Sequence, residues 1–275
     1  MNTIPLVVYL VALAAYGWHF VQRHPAAGRT ATSLLVLGVM THTFVIGMKT
    51  MELGQIPVIG TTAAISTFVW LLAIAYLYTE TTTDERGMGT FILSFLVGLQ
   101  ALAAFAPGRE EQAAGVLQGP MFGLHVSSLL IAYASFGLAC VIGITYVLLF
   151  KEIKAKHLGF FYARLPSLQV LDTMNQRVIL FGWVCLTIGM IVGALWTPQA
   201  RTYASTDPRL QAMSLQDPKI FIALLCWTLY SFELFFARRF GWGGRRTAYL
   251  SALGFALVLL NFVPVSYFLT RSHNF

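Results

Sequence analysis

The sequence predicts an all-α fold, a polytopic membrane helix bundle. Of the 275 residues, 57% are hydrophobic and only 11% are charged, and the mean hydropathy is +0.70. So little polar surface cannot cover a soluble globule of this length. Eight apolar stretches approach the length, roughly 20 residues, that a helix needs to cross hydrocarbon while satisfying its own backbone. We therefore expect about eight transmembrane helices.

The predicted spans follow one another without a soluble insert. They cover residues 5–21, 31–48, 61–78, 89–106, 122–150, 178–196, 220–236 and 247–269. Because no polar block between them could form its own core, we expect one membrane domain over residues 1–275. The first stretch lacks a basic leader and a clear cleavage site, which predicts a retained span. In the loop 151–177, the apolar run 165–171 around Pro166 predicts a short interfacial helix.

The basic residues predict the orientation of the bundle. Eight spans place both termini on one side, and the loops then form two sets. Twelve Lys and Arg residues lie in the set without the termini and six in the set with them. Cytoplasmic loops carry the Lys/Arg excess, so we expect both termini outside. The basic residues are spread as anchors beside the spans, which argues against nucleic-acid binding.

Three of the six histidines occupy related depths. His42 lies in the outer half of the second span, His125 at the outer entrance of the fifth and His273 just beyond the eighth. An ionisable side chain at such a depth is costly without partners and is a functional candidate. Imidazoles from two helices can close a six-coordinate haem iron. Ligation by two of these histidines and ordinary interhelical hydrogen bonding both remain open.

Glu233 is a further polar candidate within the predicted spans. Glu233 lies near the inner end of the seventh span, where we expect an ion pair with Arg238 or a neighbouring base. A role in proton relay is the alternative. The sequence contains no nucleophile and base constellation, glycine-rich phosphate loop or paired intramembrane carboxylates. Whether the protein is an enzyme therefore stays open.

Six short stretches of the second half form a specific pattern. They are Leu-His-Val-Ser-Ser at 124–128 with Ala-Tyr-Ala at 132–134, Leu-Thr-Ile-Gly at 186–189 with Gly-Ala-Leu-Trp at 193–196, Asp-Pro-Lys at 217–219, Trp-Gly-Gly-Arg-Arg at 242–246, Leu-Gly-Phe at 253–255 and Ser-His-Asn-Phe at 272–275. In order and spacing the chain resembles the cytochrome c assembly family that includes CcsA, ResC and HemX. The resemblance implies divergent N-terminal helices over 1–121 and an assembly-like core over 122–275.

The resemblance also implies a cofactor and partners. In that family, histidines at the positions of His125 and His273 flank an outer loop and are thought to ligate haem. It implies a non-covalent b-type haem near the outer face, in the inner membrane of a bacterium with both termini periplasmic. Apocytochrome c, or other maturation or respiratory subunits, are the implied partners. Outer cations can hold haem propionates. The candidate haem contacts are His125, His273, His42, Trp196, Arg201 and Arg271.

The chain departs from the family pattern at three places. The family's Trp-Xaa-Trp-Asp-Pro-Lys-Glu appears as Ser-Leu-Gln-Asp-Pro-Lys-Ile at 214–220. A family histidine appears as Phe235, and another, in Gly-His-Phe-Pro, appears as Gln55. HemX-type members therefore resemble the chain better. Three hypotheses stay open: a haem-binding assembly factor, a b-type electron-transfer subunit of a respiratory complex, and a haem-free scaffold or regulator of haem synthesis. A transporter is disfavoured because no inverted repeat is evident.

Overall fold

The structure, a computed structural model, describes residues 2–106, 119–156, 159–202, 218–237 and 239–262. Within these ranges every regular element is helical, which confirms the predicted all-α bundle. The helices are α1 Thr3–Gln22, α2 Pro25–Leu53, α3 Thr61–Thr83, α4 Gly89–Phe105, α5 Pro120–Lys154, α6 Leu168–Thr202, α7 Pro218–Ser231 with a π-helical turn Phe232–Phe236, and α8 Gly244–Phe262.

Most of these helices are long and apolar enough to cross a membrane. In the described part of the chain six qualify by length and composition, namely α1, α2, α3, α5, α6 and α7 with its π-helical turn. The apolar helix α4 has 17 residues and is shorter. α8 begins with the polar run Gly244, Arg245 and Arg246. The chain is thus an integral membrane protein.

The start of α6 differs from the prediction. We expected a span from residue 178 and a separate interfacial helix over 165–171, but α6 begins at Leu168. The Ser167 hydroxyl accepts a hydrogen bond from the Val170 amide at 3.3 Å and so caps the first turn. Leu171 is fully buried. The apolar run therefore packs into the bundle, so it does not lie along the membrane surface.

The helices form two halves that meet along α3 and α5. In the N-terminal half, α1 packs on α2 and α4, and α3 packs on α4. In the C-terminal half, α5 packs on α6 and α8, and α7 packs mainly on α8. Close approach depends on small residues. A Cβ added to Gly143 of α5 would lie 2.9 Å from the Ala248 carbonyl oxygen of α8.

Several described turns with arginines lie at the same end of the bundle. We call it the basic end; it contains residues 23–24, 84–88, 155–156, 159–167, 237 and 239–243, with Arg23, Arg86 and Arg164 among them. We call the other the opposite end. Antiparallel contacts fix this arrangement: Asn2 of α1 bonds the Ala103 carbonyl of α4, and Tyr133 of α5 is bonded by Asn261 of α8. Thr3 thus lies at the opposite end, and α8 runs from the basic end toward it.

Candidate functional site

His125 lies in the second turn of α5, at the opposite end of the bundle. Its Nδ1 atom is 2.7 Å from the Gly189 carbonyl oxygen of α6. A carbonyl oxygen only accepts hydrogen bonds, so Nδ1 must carry the proton, and in the neutral ring Nε2 then holds the lone pair. Histidines that ligate metals are commonly oriented through such a bond from the second ring nitrogen. The local geometry therefore fixes the tautomer and the orientation of the His125 ring.

Two glycines of α6 provide the seat of the His125 ring. A Cβ added to Gly193 would lie 2.5 Å from His125 Cε1 and 2.6 Å from Nδ1. About one turn earlier, a Cβ on Gly189 would lie 2.8 Å from Leu129 Cδ2. Sequence reasoning saw these glycines only as part of a motif. Their spacing of four residues, which allows close approach of membrane helices, was the signal for this role.

Trp196 lies beside this seat. It is buried, with 5% of its surface exposed, and packs against Phe122 with ring centroids 5.3 Å apart. Phe122 precedes His125 by three residues and Trp196 follows Gly193 by three, so the two pairs are neighbouring contacts of α5 and α6. The structure thus places Trp196 about one helical turn beyond Gly193, with its indole ring in contact with Phe122.

The remaining outer candidates lie outside the described part of the chain. His273 and Arg271 are outside the described residues, and so is the side chain of Arg201 in the last turn of α6. The approach of α8 is described: Asn261 Nδ2 donates to the Tyr133 hydroxyl at 3.2 Å. Tyr133 follows His125 by eight residues, about 12 Å along α5. The last described turns of α8 therefore run toward the end that holds His125.

His42 belongs to a hydrogen-bond network in the N-terminal half. The ring is fully buried, with Nδ1 3.3 Å from the Tyr9 hydroxyl and Nε2 3.0 Å from the Ser66 hydroxyl. Gln100 Nε2 also donates to Ser66 at 3.5 Å. The network joins α1, α2, α3 and α4. Of the two interpretations that the sequence left open for His42, this geometry corresponds to interhelical hydrogen bonding.

Glu80, which sequence reasoning missed, is buried near the basic end of α3. It is 1% exposed, and both its oxygens accept a hydroxyl at 2.6 Å, from Tyr16 and from Thr32. Arg86 Nε lies 4.0 Å from Oε1. The predicted third span ended at residue 78, so Glu80 counted as a loop residue, whereas α3 continues to Thr83. Extending the predicted third span by two residues would have placed Glu80 inside the helix.

Glu233 is the second buried carboxyl group near the basic end. It lies in the π-helical turn, is 4% exposed, and accepts a hydrogen bond from the Ser251 hydroxyl of α8 at 2.8 Å. Asn175 Nδ2 of α6 donates to the same hydroxyl at 2.8 Å. Arg238, its expected partner, lies outside the described residues. Among the residues that the structure describes, no cation forms an ion pair with Glu233.

Comparisons with known proteins agree with the pattern of motifs. Residues 7–273 match the family model described as cytochrome C assembly protein, so the match also includes the N-terminal helices. The chain is 26% identical to the cytochrome c biogenesis protein CcsA of Guillardia theta, over 87% of this chain and 83% of that protein. It is 23% identical to Protein HemX of Bacillus subtilis, over 95% and 92% of the two chains. The resemblance inferred from the six stretches is confirmed.

Proposed function

Because the chain belongs to the cytochrome c assembly protein family, we propose that it binds haem near the outer face of the membrane and handles it for cytochrome c maturation. The site would lie where α5 begins and α6 ends. The protein would be embedded in the lipid bilayer of a bacterial inner membrane, with both termini on the periplasmic side. The excess of Lys and Arg in the set of loops without the termini, twelve against six in the sequence, supports that orientation.

The observation that carries this proposal is the bond from His125 Nδ1 to the Gly189 carbonyl at 2.7 Å. It leaves the lone pair on Nε2, and a neutral imidazole nitrogen is a usual axial ligand of haem iron. The missing Cβ of Gly193 gives the ring its space. The chemistry of this donor therefore fits haem, which would supply a redox-active iron and the porphyrin to be attached to an apocytochrome c.

The other candidates take subsidiary roles in the proposal. His273 would be the second axial ligand, and the approach of α8 toward the end that holds His125 supports this pairing. Arg201 and Arg271 would bond the propionates by charge-assisted hydrogen bonds. Trp196 would form an apolar wall beside His125, stiffened by Phe122. His42 would stabilise the helices around the site through its hydrogen bonds to Tyr9 and Ser66.

Absorption spectroscopy tests the proposal. The full chain purified in mild detergent should show a low-spin ferrous haem spectrum after reduction, and the double variant His125→Ala, His273→Ala should lose it. His24→Asn is the matched control, since His24 caps α2 by accepting from the Ala26 amide and asparagine can do the same. An unchanged spectrum in the double variant would remove the ligand assignment.

Similarity to HemX over 95% of the chain supports one second candidate. This is a haem-free scaffold or regulator of haem synthesis that keeps the membrane fold. The loss of the family tryptophans around residues 214–216 also favours it, since those rings would face a porphyrin. A wild-type protein that purifies without colour, and stays colourless when haem is added, would support this candidate over haem binding.

A further inference from the structure

We propose that Glu233 is a buried proton-binding site, whose carboxyl group carries a proton at neutral pH and is not paired with a cation. Ser251 and Asn175 complete the site, and we call the three residues the Glu233 cluster. The proposal concerns the basic end of the C-terminal half and is independent of haem binding. The reaction is simple proton uptake: the carboxylate takes a proton from water and becomes a neutral carboxylic acid.

The first argument is the unequal environment of the two carboxyl oxygens. Oε1 accepts from Ser251 at 2.8 Å, while Oε2 is buried without a hydrogen-bond partner among the described residues. The side chain is 4% exposed. An ionised carboxylate in such a place costs several kcal/mol unless a cation compensates it, and taking up a proton avoids most of that cost.

The second argument is the charge of the surrounding groups. Asp172 of α6 acts on Glu233 with like charge, which disfavours the carboxylate further. Tyr230, on the same helix, donates to the Ser251 backbone carbonyl at 3.3 Å, so its hydroxyl proton is directed away from Glu233. The thiols of Cys226 and Cys140 also lie near Tyr230. None of these groups supplies a positive charge.

The arginines at the start of α8 are directed elsewhere. The Arg245 guanidinium lies over the Phe150 ring at 5.3 Å, and that of Arg246 lies over the Trp242 ring at 5.7 Å. Cation–π contacts of this kind hold a guanidinium against an aromatic face. Neither described arginine therefore compensates Glu233.

The third argument is the backbone at Glu233. The helix widens here into a π-helical turn, Phe232–Phe236, which closes with a hydrogen bond from the Ala237 amide to the Phe232 carbonyl at 2.9 Å. Such turns are rare and are frequently found at functional sites. The inserted residue changes which side chains of α7 face α8. The departure from α-helical geometry at Glu233 is therefore consistent with a functional role for this residue.

The Glu233 cluster lies beside a narrow crevice near the basic end of the bundle. Asn175 lines this crevice between α5, α6 and α8, together with Tyr146, Asp172 and Gly244. From there Asn175 donates to the Ser251 hydroxyl, which in turn donates to Glu233. The crevice is too narrow to hold a water molecule, so Glu233 is shielded from solvent on this side.

Infrared difference spectroscopy of the full chain in lipid nanodiscs tests the proposal. At neutral pH the wild type should show the carbonyl band of a protonated carboxyl group, and the isosteric variant Glu233→Gln should lack it. Glu80→Gln is the matched control. Both oxygens of Glu80 accept hydroxyls and Arg86 lies nearby, so this variant should lose carboxylate bands only. A Glu233→Gln difference confined to carboxylate bands would overturn the proposal.

Two further variants separate proton binding from an ion pair. Ser251→Ala keeps the carboxyl group but removes its hydrogen bond, so the protonated band should remain and shift in frequency. Arg238→Gln should leave the band unchanged. If the protonated band appears only after Arg238 is replaced, Glu233 is ion-paired and the proposal fails.

The pH dependence of stability gives an independent readout. The folded state holds a proton that the unfolded chain in water has lost, so the thermal midpoint of the wild type should fall as pH rises through ionisation of Glu233. Glu233→Gln should lack this fall. Identical pH profiles for the two proteins would contradict the proposal.

Discussion

Each half of the bundle holds a histidine and a glutamate between its helices, and the hydrogen bonds of these side chains differ between the halves. In the N-terminal half both nitrogens of His42 and both oxygens of Glu80 have side-chain hydrogen-bond partners. In the C-terminal half His125 is anchored to a backbone carbonyl and Glu233 to one hydroxyl. A closed network links helices. From these contacts we infer that His125 is oriented to bind haem, and that Glu233, whose Oε2 has no hydrogen-bond partner among the described residues, binds a proton.

We expect the largest loss of stability from a substitution that breaks the hydrogen-bond network at Glu80. Glu80→Ala leaves the Tyr16 and Thr32 hydroxyls and Arg86 without their common acceptor. Removing one partner of a buried charged network typically costs about 3–5 kcal/mol, and we expect a loss of that order in the free energy of unfolding. Denaturant titration in detergent micelles measures it. Glu52→Ala, at the exposed end of α2, should stay within about 0.5 kcal/mol of wild type.

Replacing His42 should weaken the fold without removing haem. His42→Leu leaves the buried hydroxyls of Tyr9 and Ser66 without the ring, at a cost of about 1–3 kcal/mol in the same titration. The haem spectrum should persist, because we assign the axial ligands to His125 and His273. A stable His42→Leu protein that has lost its haem would instead place His42 at the cofactor.

Adding a side chain at Gly193, beside His125, should weaken both haem binding and the fold. Gly193→Ala places a Cβ 2.5 Å from the imidazole ring, which must then move away from its anchor. We expect lower haem retention and a partial loss of the low-spin spectrum, with destabilisation of about 1–3 kcal/mol from overpacking. In Gly98→Ala the new Cβ meets no atom within 4 Å, so this control should retain haem. Equal retention in both variants would argue against the seat.

The smallest expected effect concerns a carboxyl group in contact with solvent. Partial burial raises the pKa of Glu85 above its ordinary value of 4.5, and the charge of Asp84 raises it further. The folded state therefore favours the protonated form, so a small stabilisation present at low pH is lost as pH rises through the raised pKa. Thermal midpoints of wild type and Glu85→Gln should diverge slightly over this mildly acidic range. A wild-type thermal midpoint that rises relative to that of Glu85→Gln as pH increases over this range would contradict the raised pKa of Glu85.

Much of the architecture was predictable because hydropathy reports directly on burial in lipid. The start of α6 at Leu168 was not, since an apolar run beside Pro166 fits a membrane surface and a helix interior equally well. Glu80 was missed for a related reason. A charged residue ends an apolar window, but a helix continues past it when hydroxyls from two other helices meet the carboxylate.

By itself the sequence determined the all-α membrane class, the approximate spans and the family, because composition and spacing carry that information along one chain. It also singled out His125 as a candidate. Only the tertiary structure decided which atoms meet: Nδ1 of His125 with the Gly189 carbonyl, His42 with Tyr9 and Ser66, and Glu233 with Ser251. These contacts join residues far apart in sequence across helix interfaces, where the rotation of each helix about its axis sets the partner, and hydropathy does not encode that rotation.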